Sequence, residues 1–238
     1  MTGSVCGRAF RCVVAIVILW SGLFACLPNA GHCSFNVQRD AFSISNAPGW
    51  CFAMAAFARW YYLANQDAPS LRERFDEQSQ QRIARELQGF YSRNLLKIQA
   101  EYCNRDHQER AASFTRLVTG LALGEPRIVL LMNKGPKGTT LHAVLAYAWL
   151  PESSALKVYD PNYPREERFI DLNRAEYTSL DITYNAFCFP EVLHHHPGLV
   201  KKMEKLYAVC AATGGPSRSR GVVPKDQQKV DARAHENY

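Results

Sequence analysis

"TTLHAVLAYAWLPESSALKVYD", residues 139–160, decides how the second half of this chain is read. A strand with one wet face alternates apolar and polar residues, but here both alternating sets are apolar. Val144, Ala146 and Ala148 form one set, and Ala143, Leu145, Tyr147 and Trp149 the other. The run is therefore expected to be a strand covered on both sides. "PESS" (151–154) is turn chemistry that folds "ALKVYD" (155–160) back as an antiparallel neighbour. With the turn centred between Pro151 and Glu152, residue 161 falls opposite His142, within one position of Asp160. His142 is the strongly polar residue in the body of the covered strand, and burying an imidazole without a partner costs free energy. Either a backbone carbonyl satisfies it, or it faces a cleft and pairs with Asp160. Asp160-Pro161-Asn162 would serve equally well as a simple turn.

Outward from this hairpin, "RIVLLMN" (127–133), "ERFIDL" (167–172) and "SLDITY" (179–184) are further short runs rich in branched and aromatic residues. Before Pro126 the period changes. In "NAPGWCFAMAAF" (46–57), Pro48 and Gly49 mark a turn. From Cys51 to about Leu63, Phe52, Ala55, Ala56 and Trp60 then recur at helical spacing. Residues 69–98 read as one or two amphipathic helices opened by Pro69 and Ser70, and 107–124 as another, stopped by Gly124 and Pro126. The expected fold class is α+β: a helical N-terminal half packed on an antiparallel β-sheet, with a cleft between the two lobes.

Cys51 would stand at the first turn of its helix, where the helix dipole and unpaired N–H groups favour a thiolate. The competing reading is a buried structural thiol, since free cysteine is among the most commonly buried residue types. If Cys51, His142 and Asp160 act together, they must converge on a single exposed groove.

The 238 residues, 47% of them hydrophobic, suffice for one domain or two small lobes. The net charge of +6 is spread along the chain, so no nucleic-acid partner is expected. There is no P-loop, dinucleotide fingerprint, CxxC zinc pattern or repeat. The three histidines of "LHHHPG" (193–198) are consecutive, so their side chains diverge, and no metal site is assigned to them.

Arg8 and Arg11 precede an apolar run at 12–27, the length of a signal-peptide core. Residues 1–31 are therefore set aside as a leader. It ends in a lipoprotein-like "LFAC" at Cys26, is cleaved near "PNAG", or stays as a membrane anchor, and each exit implies an extracytoplasmic domain. Residues 32–210 form that domain, and 211–238, poor in large apolar residues, are expected to be a disordered tail. Cys33, Cys51, Cys103, Cys188 and Cys210 remain in the domain. That odd number is compatible with two disulfides and one free thiol, or with five reduced cysteines.

The order Cys, His, Asp, with "PGWCFAMA" and "HAVLAY…VYDPNYP", resembles the papain-like cysteine peptidases, and most closely their bacterial C39-like branch. The resemblance spans roughly residues 38–190. It implies a papain-like fold with Cys51 as nucleophile, His142 as general base and later acid, and Asp160 as orienter. A peptide or protein substrate is implied, with no metal or organic cofactor. The family's oxyanion glutamine, about six residues before the cysteine, is replaced by Ser45. Asn46 is the nearest amide and the candidate oxyanion donor; Gln38 would need an unusual loop. The same triad also suits transglutaminase-like or deamidating chemistry on glutamine. The missing glutamine is what a papain-like binding module without catalysis would display.

Overall fold

In the computed structural model the described residues are 35–213, apart from 47–48, 66–67, 105–106 and 136–137. The expected leader, residues 1–31 with Cys26, lies outside them, and so does Cys33 of the expected domain. So does everything after Thr213.

Strands β1 (Arg127–Gly135), β2 (Gly138–Leu150), β3 (Ala155–Tyr159) and β4 (Glu167–Asp171) are followed by the short β5 (Tyr177–Ser179), β6 (Ile182–Tyr184) and β7 (Ala186–Cys188). Five of them form an antiparallel sheet in the order β4-β3-β2-β1-β7, while β5 and β6 pair separately. As the two-sided apolar pattern of β2 requires, the sheet is covered on both faces. Ala143, Leu145 and Tyr147 enter one core, and Val144 and Ala146 enter the other.

A β-bulge between Ala146 and Ala148 then reverses the alternation. Ala148 packs on the same core as Tyr147 and Trp149 on the opposite one, so the expected grouping of Ala148 with Val144 and Ala146 does not hold. The turn is centred between Glu152 and Ser153, since Leu150 pairs with Ala155, and the bulge takes back one position of that shift. Leu145 pairs with Tyr159, and continuing that register would set Asn162, not residue 161, opposite His142.

The helices are α1 (Val37–Asp40), α2 (Cys51–Ala64), α3 (Leu71–Arg74), α4 (Glu77–Asn94), α5 (Leu96–Cys103), α6 (His107–Ala122), α7 (Glu191–His194) and α8 (Pro197–Thr213). Every residue of α2 from Phe52 to Arg59 is buried, as befits a central helix apolar on all sides. Against it α4 presents a narrower stripe, with Ile83, Ala84, Leu87 and Tyr91 buried.

The expected one or two helices over 69–98 are three: side-chain caps open α3 and α4, while α5 starts after Leu95 with no side-chain cap. Ser70 and Glu73 form a capping box at α3, and the Asp76 carboxylate accepts from the Ser79 N–H at α4. Phe114, Leu117 and Leu121 of α6 belong to the second core, so the helical half brackets the sheet rather than lying on one side of it.

The single strand expected at 179–184 is instead part of the β5–β6 hairpin. Its turn residues, Leu180 and Asp181, have φ of 45° and 63°. Leu-Asp lacks the Asn-Gly signature of such turns and so gives no signal in the sequence. The expected start of the tail at Ala211 does not hold. Leu206 and Cys210 are buried, and α8 runs on to Thr213.

One disulfide, Cys103–Cys188, joins the end of α5 to β7 across 85 residues. Among the described residues Cys51 and Cys210 are free thiols.

Candidate active site

Cys51 is the first residue of α2. The turn that delivers it carries Gly49 at φ 78°, a conformation that favours glycine; a Cβ there would meet nothing within 4 Å, so the requirement is conformational, not steric. The N-cap, Trp50, offers no side-chain acceptor to the first-turn N–H groups. That function falls to Gln88 of α4, whose Oε1 accepts from the Ala53 N–H at 3.2 Å. Cys51 itself is half-buried.

His142, on β2, is 3% exposed. Its Nε2 lies 2.7 Å from Asp160 Oδ1, which leaves Nδ1 as the ring nitrogen available to Cys51. The partner of this buried histidine is thus a carboxylate rather than a backbone carbonyl. Burial alone disfavours the imidazolium. The hydrogen bond to Asp160 and the neighbouring Cys51 side chain outweigh it, and the His142 pKa rises to about 9.

Asp160 follows the last residue of β3 and is completely buried. Its carboxylate is held by donors from three directions. Besides His142, the Asn162 N–H donates to Oδ1 at 2.8 Å, while Tyr177 Oη and Ser179 Oγ donate to Oδ2 at 2.7 and 2.8 Å. Burial pushes its pKa up, but these bonds, with His142 first among them, prevail and hold it below the usual carboxylate range. The Asn162 bond is the local turn that Asp160-Pro161-Asn162 suggested. Turn-forming and ring-holding are therefore done by the same carboxylate.

A cavity of about 480 Å³ is bordered by Cys51 and His142, and by Asn46, Gln88 and Tyr184. Asp160 does not border it. The expectation that all three residues share one exposed groove, with none sealed inside, is thus corrected. The sulfur and the ring, which would handle substrate, meet the cavity, whereas a carboxylate that only orients the ring needs contact with the ring alone and stands buried behind it. Tyr184 stacks on the imidazole, with ring centroids 5.8 Å apart. No Asp, Glu, Lys or Arg is among the residues that border the cavity, and Leu130, Leu141, Leu180 and Ile182 contribute to its wall.

Asn46 reaches the cavity rim, but its Nδ2 donates to Asn162 Oδ1 at 2.8 Å, and its buried Oδ1 has no partner. One of its two amide hydrogens is thus already engaged. Gln38 is turned away, its amide donating to the Arg165 carbonyl. Tyr177, Ser179 and Gln88 were not singled out in the sequence. None carries a local motif, and each reaches the site only through tertiary packing.

Among the described residues no group of three or more His, Cys, Asp or Glu is placed to hold a metal ion. His194 is buried, with Nε2 accepting from the Ile128 N–H at 3.1 Å; it closes the backbone of β1 instead. No helix among the described residues is long and apolar enough to cross a membrane.

Comparison with protein families, curated proteins and solved structures finds no match to this chain.

Proposed function

We propose that this protein is a papain-like, thiol-dependent hydrolase of peptide or amide bonds. The observation that carries this reading is the His142–Asp160 pair at 2.7 Å, set at a cavity that Cys51 also borders. A ring clamped through Nε2 by a buried acceptor has one orientation and one free nitrogen. Its pKa, raised to about 9, makes this imidazole a stronger base than a free histidine, which is what taking the proton of a cysteine thiol requires.

The steps follow from this arrangement. His142 takes up the thiol proton as the Cys51 sulfur adds to the substrate carbonyl carbon and the carbonyl π pair moves to oxygen. Collapse of that oxyanion breaks the C–N bond, and His142 gives its proton to the departing amine. Water then attacks the thioester while His142 accepts its proton; the acid leaves and the thiol is restored. No step calls for a metal or organic cofactor. Away from His142, the apolar wall formed by Leu130, Leu141, Leu180 and Ile182 suits a peptide or protein segment with apolar side chains.

Cys51 is neither paired in a disulfide nor sealed from the cavity, which favours an enzyme over a papain-like binding module. The Cys103–Cys188 bridge favours a location outside the cytosol. The reading is tested with Cys51→Ala, which should abolish labelling by an epoxide probe directed at reactive thiols. Undiminished labelling of that variant would refute the nucleophile.

A further inference from the structure

We propose that Gln88 supplies the side-chain donor that stabilises the oxyanion formed when Cys51 attacks a carbonyl. This builds on the reading of Cys51 as nucleophile and assigns to α4 a role that the sequence placed at Asn46.

Three observations carry it. The Ala53 N–H can be met only by an oxygen, so the 3.2 Å bond to Gln88 Oε1 fixes which end of the carboxamide faces the helix. Nε2 is then the end left to donate, and no described residue accepts from it. Gln88 also borders the same cavity as Cys51. The rival amide, Asn46, already commits one of its two N–H donors to Asn162, whereas no described residue accepts from Gln88.

One carboxamide thus performs two tasks. Its oxygen caps the third residue of α2, and its nitrogen stands beside the helix end where the nucleophile sits. When the sulfur–carbon bond forms and the π pair moves to oxygen, the resulting charge would be met by Gln88 Nε2 and the Cys51 N–H. Both are pre-oriented, because the helix and its cap fix them before substrate arrives.

The test separates capping from catalysis. Gln88→Glu keeps an acceptor for the Ala53 N–H at a helix end that tolerates negative charge, but removes the donor. Gln88→Met removes both. For wild type and each variant, two rates are measured at Cys51 by peptide mass spectrometry: acetylation by p-nitrophenyl acetate, which passes through an oxyanion, and alkylation by iodoacetamide, which does not.

A change in thiol ionisation moves both rates together, whereas loss of the oxyanion donor lowers only acetylation. The acetylation-to-alkylation ratio should fall by about 10²-fold in both variants. An unchanged ratio in Gln88→Glu would overturn the role of Gln88 while leaving Cys51 as nucleophile. Absence of acetylation at Cys51 in the wild type would overturn both.

Discussion

His142 and Asp160 are joined through Nε2 and Oδ1 at 2.7 Å, and the carboxylate that holds the ring is itself held by Asn162, Tyr177 and Ser179. The orientation of the imidazole is therefore set by a buried network drawn from β2, the turn after β3 and the hairpin strand β5. Replacing the carboxylate should disable the ring without emptying the cavity.

Asp160→Asn removes the negative charge and forces an amide hydrogen toward one of the surrounding donors. The His142 pKa should drop below its value near 9. Amide hydrolysis should decline by about 10²- to 10⁴-fold. Imidazole titration by NMR and kcat/KM on a peptide amide would check the two effects; an unchanged histidine titration would mean that the carboxylate does not govern the ring.

His142 also makes stability depend on pH. Its folded-state pKa, about 9, exceeds the ordinary histidine value of 6.5. The folded protein therefore binds the extra proton more tightly than the unfolded chain. Its contribution is fully present below pH 6.5 and is lost as pH rises through 9, amounting to about 3 kcal/mol. Urea midpoints between pH 6 and 10 should fall more steeply for the wild type than for His142→Gln. Parallel curves would contradict the shift.

The Cys103–Cys188 bridge closes a span of 85 residues between helix and sheet. Serine at both positions should cost about 2–5 kcal/mol. Urea denaturation of the double variant, or of wild type with and without reductant, would measure it. Coincident midpoints would show that packing alone holds β7 in place.

Arg72 binds the active-site turn to the N-terminal segment. Its guanidinium donates to the carbonyls of Ala41 at 3.0 Å, Val37 at 2.9 Å and Phe42 at 3.3 Å, and also to Pro164. A lysine ammonium cannot reproduce that planar fork. Arg72→Lys should cost about 2 kcal/mol or more through carbonyls left short of donors. Thermal unfolding would reveal it, and an unaltered Tm would show the carbonyls to be satisfied by water.

The change of period at Pro126 made the α+β order legible, because helix and strand impose different spacings on apolar residues. His142 and Asp160 were legible as a pair because a tight turn left little freedom in where the second strand returned. The bulge at Ala146–Ala148 was not, since an extra residue is accommodated only once the partner strand is in place. Tyr177 and Ser179 were equally hidden. They reach Asp160 from a hairpin whose turn, Leu180-Asp181, relies on positive φ at Leu180, a residue type that seldom adopts it. Gln88 reads as an ordinary polar position of an amphipathic helix, and only the packing of α4 against α2 brings it to the Ala53 N–H.

The central claim is that Cys51, assisted by His142, accepts an acyl group. Intact-mass and peptide analysis after brief incubation with p-nitrophenyl acetate tests it directly. One acetyl group should appear on Cys51 in the wild type and decay on removal of the ester, and should be reduced to background in Cys51→Ala and His142→Gln. An adduct that forms at the same rate in His142→Gln, or never forms on Cys51 at all, would contradict the account.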